Sequence, residues 1–584
     1  MKHFALPESG EWFGEKDRTM NINSRRPRLS ASGASAIIGV RSYGFIDLEG
    51  AKVSAIIVEY GREILVRSVD AGTFAISDYA IRQILLHGRE SAIERAGETA
   101  VGNEGGVVKV YVSDRPEPSQ GGGAERGRYV IVEVETDYTL SGQNIDYRAA
   151  MAVGVVQRKA IESTEGTIPP CRAEAVNYEI VERQDRRGKK TAVPLARDGE
   201  IVLPEFAEGS GWTINRIGAG AFHARHCYSE YTGRYEDFEL PYAIFVPKQE
   251  VLEANRGKVA LVLHMEHAGA NSAEPLASLA SSRAAVRHAG EEVQAENPAI
   301  VVVPQIEESR RTTNDQMASS EANAAIWQLV DSVLARFRGF IDENRIYGTG
   351  QSMGGMCLLA MAAQRDNFFA GILAVGAQWG NNYDKTFQNG GDRTPERDPS
   401  SFNGFGLDRD NFRNWYYMVS DDNVLVQTCS GDPMATGLWQ ALADYYAAAG
   451  REIPHEEWDA SLPVGEQEER CARLLARREA DAPGGGIAWI SFSGGSHMAT
   501  WKYGYRLREP FRWLYSRRRD EESRRGKLGK LKNPWLGRDA NGKVRDGSGT
   551  AGLNSAQFTP HGPDPAFGEG WKPMPGLSRR SPQS

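Results

Sequence analysis

Two hydrophobic patterns divide this chain. From Ala36 to about Glu182, apolar residues come in short runs broken by glycine, proline and serine. The runs Ala36–Val40, Lys52–Tyr60, Arg62–Val69, Phe74–Ile76, Val107–Val112, Tyr129–Val134 and Ala149–Val156 read as strands, with Glu174–Glu182 as a further one. One helical pattern interrupts them, Tyr79–Arg95. Many short strands between turns predict a β-sandwich, placed at residues 31–225 after a loose arm over 1–30.

Near Phe238 the texture changes. Tyr242–Val246, Val259–Met265, Ile300–Pro304, Arg345–Tyr347, Gly371–Ala377, Trp415–Val419 and Ile487–Phe492 are compact apolar runs without alternation. Strands covered on both faces read this way. Between them lie helical patterns at Leu276–Ala289, Glu321–Phe340, Gly437–Ala449 and Gly465–Ala480, with Pro510–Arg518 as a last helix. This alternation predicts a mostly parallel sheet with helices on both faces over residues 226–526. The remainder, 527–584, is rich in Gly, Pro, Asn, Ser and Lys and is expected to form no core of its own.

Bulk properties narrow the classes. At 584 residues the chain is too long for a single core. A formal charge of −8 gives no reason to expect nucleic acid or an acidic membrane as partner, and the arginines at 517–519 read as a solvated face. No run approaches the length of a membrane span. Met1–Asn21 is charged and lacks the apolar stretch of a secretory leader, so a cytoplasmic location is expected unless a leader has been removed. Five cysteines form neither a metal knuckle nor a disulfide framework. The spacing of His223, His226 and Cys227 has no matching second ligand cluster, so no metal is expected. There is no Walker box and no dinucleotide fingerprint, and no cofactor is expected.

The candidate chemistry sits at Gly350-Gln351-Ser352-Met353-Gly354. It follows an extended run and leads into an apolar helix. Glycines on both sides leave room for a tight turn that presents a serine, and the helix start offers free N–H groups. A serine hydroxyl needs a base, and the base needs a carboxylate to orient it. In an α/β-hydrolase these follow in the order Ser, acid, His. His497, on the loop Ser493–His497 after an apolar strand, is the expected base; His455 lies in a charged segment and His561 in the tail. The acid is expected at Asp421, with Asp422 as the alternative, after the run Trp415–Val419. The oxyanion donors are expected at the amides of Met353 and of Glu266 or His267, after the strand ending at Met265. Gln351, Gln378, Trp379, Trp501 and Tyr503 are the expected pocket residues, while His264 is expected to be packed within its strand.

On Gly350–Gly355, Ser420–Val424 and Gly494–His497 the chain resembles bacterial esterases with an immunoglobulin-like N-terminal domain before an α/β-hydrolase domain. The catalytic part is also similar to polyhydroxybutyrate depolymerases and feruloyl esterases. The resemblance covers about residues 31–515. It implies a Ser-His-Asp triad, hydrolysis of carboxylic esters through an acyl-enzyme, and an N-terminal domain that supports the site or an oligomer, with a homo-oligomer as a possible assembly. The aromatic residues near the site point to esters with an apolar or aromatic group. The chain departs from the pattern at two places. Met265-Glu266-His267-Ala268-Gly269 replaces the usual His-Gly pair, and Met418-Val419-Ser420 precedes the expected acid. Two other readings compete with the esterase: an amidase or peptidase on the same fold, and a non-catalytic binding protein.

Overall fold

A computed structural model describes residues 36–77, 106–136, 153–174, 176–184, 190–229, 234–267, 274–306, 320–364, 368–377, 422–432 and 450–519, except Gly484, with Thr19, Met20 and scattered single positions between these ranges. The chain divides between Ala207 and Glu208 into two units, earlier than the boundary near 225 read from the sequence. The expected helix at Tyr79–Arg95 and the tail from 527 lie outside the described residues.

The first unit is built from strands. They are β1 (Thr19–Met20), β2 (Ile37–Asp47), β3 (Gly50–Leu65), β4 (Phe74–Ser77), β5 (Val107–Ser113), β6 (Arg126–Val134), β7 (Gly154–Gln157), β8 (Ile161–Ser163), β9 (Gly166–Ile168), β10 (Cys171–Glu174), β11 (Val176–Gln184) and β12 (Lys190–Val202). One sheet runs β1-β11-β12-β2-β3-β6-β5, with β8 against β3 and β9 against β8; a second runs β10-β7-β4. Along β2, inward positions alternate through Val40, Ser42, Gly44 and Ile46, as a half-buried strand requires. β3, paired on both sides, is buried over most of its length. Tyr60 on β3 donates its hydroxyl to Gln157 Oε1 on β7 at 2.8 Å, a polar link between the two sheets. This is the immunoglobulin-like architecture expected from the run of short strands.

The second unit holds β13 (Trp212–Asn215), β14 (Phe222–Ser229), β15 (Arg234–Leu240), β16 (Tyr242–Phe245), β17 (Val259–Met265), β18 (Ala299–Pro304), β19 (Ile341–Gln351), β20 (Gly371–Val375), β21 (Asn423–Cys429), β22 (His455–Asp459) and β23 (Gly486–Ser493). Its helices are α1 (Gln249–Ala254), α2 (Leu276–Ser281), α3 (Ala284–Ala289), α4 (Glu291–Glu296), α5 (Ser320–Arg336), α6 (Met353–Gln364), α7 (Val464–Asp481), α8 (Ala499–Arg506) and α9 (Glu509–Ser516). The sheet order is β13-β16-β18-β17-β19-β20-β21-β23-β22. β13, β16 and β18 pair antiparallel; every pair from β18–β17 onward is parallel. Every residue of β17, β18, β20 and β21 is buried, which explains runs without alternation. This is the α/β-hydrolase sheet, and it places the carboxyl ends of β17, β19, β21 and β23 along one edge.

One local reading changes, and one strand is added. The helical pattern 276–289 is two helices, parted where Ser282 is extended at φ −158° and ψ 167°. The strand carrying the acid position is Asn423–Cys429; Trp415–Val419 lies outside the described residues.

Candidate active site

β19 ends in Gln351, and α6 begins one residue after Ser352. The single residue between them has φ +54°, one of two non-glycine residues with positive φ among those described. Its amide donates to the Val375 carbonyl at 2.9 Å, and its carbonyl accepts from Met356 N–H at 3.2 Å. The turn closes only with glycines beside it. A Cβ on Gly350 would lie 2.7 Å from the Gly354 carbonyl carbon, and one on Gly354 would strike the Met265 carbonyl at the end of β17. The nucleophile turn and the loop after β17 are therefore in direct contact. α6 is apolar around its circumference because it is buried on its described faces, the behaviour of an interior helix.

The base comes from the loop after β23. Gly494 and Gly495, at φ +68° and +70°, turn the chain back so that His497 faces the serine. His497 Nε2 is 2.8 Å from Ser352 Oγ, and its Nδ1 is 2.6 Å from Asp432 Oδ2. The Asp432 side chain is fully buried and that of His497 is 12% exposed. Backbone bonds lace the two loops together. Ser430 N–H donates to Phe492 O at 2.8 Å, Gly431 N–H to Gly494 O at 3.2 Å, and Ser430 Oγ accepts from Gly494 N–H at 2.9 Å.

The structure brings Ser352 and His497 together as the sequence suggested, but puts a different carboxylate behind the histidine. Asp421 lies outside the described residues. Asp422 precedes β21, and its carbonyl accepts from Gly486 N–H at the start of β23. That is the amino end of both strands, the opposite edge of the sheet from His497. Asp432 follows the carboxyl end of β21 and has the required reach. Val424-Leu425-Val426 followed by Ser430-Gly431-Asp432 is itself a strand followed by a turn with an acid. The aromatic run at 415–419 masked that signal.

Several expected pocket residues serve other purposes. Gln351 is fully buried, with its amide nitrogen donating to Glu266 Oε2 at 2.6 Å. Trp501 is also fully buried. Its ring meets His497 edge-on at 5.1 Å and stacks on His267 at 5.4 Å, so it packs behind the histidines. Tyr503 is partly buried against Phe492 at 5.6 Å, with the Arg506 guanidinium over its face. Gln378 and Trp379 lie outside the described residues. Met353 is the first residue of α6, where a backbone N–H has no acceptor within the helix. The His267 N–H points to Glu266 Oε2 at 3.4 Å. His264 is buried within β17, as expected, bonded to Glu266 and to Thr349.

Residues 46–170 match the esterase immunoglobulin-like N-terminal domain family. Residues 325–403, which include the nucleophile turn, match the prolyl oligopeptidase family. No curated protein matches the chain. Among solved structures, a thermostable esterase is 18% identical, with 83% of this chain and 100% of that one aligned at a TM-score of 0.47. Esterase 2 of Thermogutta terrifontis is 12% identical over 48% of this chain and 83% of its own, at 0.28. An acylaminoacyl peptidase of Pyrococcus horikoshii is 11% identical over 63% and 55%, at 0.32. By its sheet order and nucleophile turn the second unit has the α/β-hydrolase fold, and it is preceded by a domain that matches the esterase immunoglobulin-like N-terminal family.

Proposed function

We propose that the protein is a serine esterase using Ser352, His497 and Asp432. The observation that carries this reading is the histidine bridge: one ring nitrogen 2.8 Å from the serine oxygen, the other 2.6 Å from a buried carboxylate. Asp432 accepts a hydrogen bond from Nδ1–H and stays ionised, which presents the Nε2 lone pair to the proton of Ser352. The oxygen then attacks the ester carbonyl. Negative charge develops on the carbonyl oxygen, beside the N-terminus of α6 and the loop after β17. The Met353 amide and an amide of Glu266–His267 are the donors suited to it. Collapse expels the alcohol, which takes its proton from His497. Water, activated by the same ring, then releases the acid and restores the serine.

Ser352→Ala is the direct test. Hydrolysis of p-nitrophenyl acetate should disappear while the fold, read by circular dichroism, stays intact. Turnover at the parental rate would overturn the assignment.

The prolyl oligopeptidase match at 325–403 favours a second reading, cleavage of amides by the same three groups. A matched ester and anilide with the same acyl group separate the two. Ester turnover far above anilide turnover is expected, and comparable rates would favour the peptidase reading.

A further inference from the structure

We propose that Glu266 is a positioning residue for the nucleophile, acting through Gln351; this rests on Ser352 being the attacking group. Glu266 follows β17 and is completely buried. Its Oε2 faces Gln351 Nε2 at 2.6 Å, Ser281 Oγ at 3.0 Å and the His267 N–H at 3.4 Å. Its Oε1 faces His264 Nε2 at 2.8 Å and Ser282 Oγ at 3.3 Å. The other ring nitrogen of His264 is 2.7 Å from Thr349 Oγ1. The carboxylate thus ties the end of β17 to Gln351 at the end of β19 and to the break between α2 and α3, while His264 adds a bond from β17 to Thr349.

Burying a carboxylate is costly, and an apolar side chain would fill this space with a smaller penalty. What the carboxylate supplies is direction. Gln351 is the last residue of β19 and Ser352 follows it directly, so the two share a peptide bond. A bond that fixes the Gln351 side chain fixes the peptide plane leading into Ser352. That residue sits at φ +54°, and such a conformation persists only where its surroundings over-determine it. The amide bond of Ser352 to Val375 holds it from one side, and the Glu266–Gln351 bond holds it from the other.

The test uses the full chain with kcat normalised to serines titrated by a fluorophosphonate. Glu266→Ala should lower kcat by roughly 10–100-fold with little change in KM, the size expected when a reacting atom is misplaced. Gln351→Glu keeps the side chain's size but sets two carboxyls against each other. They share one proton at low pH and repel once both ionise. Its kcat should therefore fall as pH rises, relative to the parent. The other titratable groups facing the pair, His264 and His267 beside it and Tyr505 on α8, are common to both proteins. The swap Glu266→Gln with Gln351→Glu restores a donor opposite an acceptor and should recover most of the loss. Parental kcat and pH profile in the single variants would overturn the positioning role. Should Glu266→Ala fail to fold, Gln351→Glu and the swap decide alone: a single variant as active as the parent, or a swap no better than the single, overturns it. Absence of fluorophosphonate labelling in the parent would instead overturn the serine-nucleophile reading, and this one with it.

Discussion

Asp432 and His497 meet at 2.6 Å across 65 positions of sequence, the acid following β21 and the base following β23. Adjacent parallel strands bring their carboxyl ends together, so an acid after one and a base after the other come within reach with no long loop between them.

That relationship distinguishes Asp432 from its neighbours in sequence. Asp432→Asn preserves shape but removes the charge that holds the histidine tautomer. It should lower kcat about 10³–10⁴-fold. Asp422→Asn, at the opposite edge of the sheet, should leave kcat near the parental value. Steady-state kinetics on titrated active sites compare the two.

The positive φ of Ser352 stores strain that a glycine would release. Ser352→Ala and Ser352→Gly both lack the hydroxyl and should both be inactive. The glycine variant should be the more stable by about 1 kcal/mol, because only the alanine retains a Cβ in the left-handed region. Urea denaturation midpoints of the pair measure this.

Gly354 and Gly494 separate close approach from backbone conformation. A Cβ on Gly354 strikes the Met265 carbonyl, so the turn and the loop after β17 must part. Gly354→Ala should cost roughly 1–3 kcal/mol of stability and about 100-fold in kcat. Gly494 has φ +68°, and a Cβ there would meet nothing within 4 Å, so Gly494→Ala should cost only the conformational penalty of about 1–2 kcal/mol. Denaturation and kinetics on both variants test the contrast.

His288 makes stability depend on pH. It is wholly buried between Phe511 and Tyr515, with Nδ1 2.9 Å from the Tyr515 hydroxyl. Burial, reinforced by His264 and Arg287 nearby, pushes its pKa well below 6.5. The unfolded chain then takes up a proton near pH 6.5 that the folded chain refuses. The stabilisation is fully present above pH 6.5 and is lost as pH falls, by up to about 1.4 kcal/mol per pH unit. His288→Gln should flatten the stability curve between pH 6.5 and 5, read by denaturation at a series of pH values.

What the sequence determined by itself were the features that depend on neighbours along the chain. Alternation along β2 and mostly apolar runs without alternation in β17, β18 and β23 distinguish a half-covered sheet from one covered on both faces. The nucleophile turn is legible for the same reason: a serine at positive φ between a strand and a helix needs glycines within two residues of it. His497 is legible because glycines precede it on a loop that follows a clear strand. Tertiary structure decided the acid, since Asp421, Asp422 and Asp432 are the same residue type near one strand. Only the position of β21, from Asn423 to Cys429, determines which lies at the carboxyl edge of the sheet. It also decided the environments of Glu266, Gln351 and Trp501. Their residue types suit a pocket as well as an interior, and which one they occupy depends on how β17, β19 and α8 pack, contacts between segments far apart in the chain.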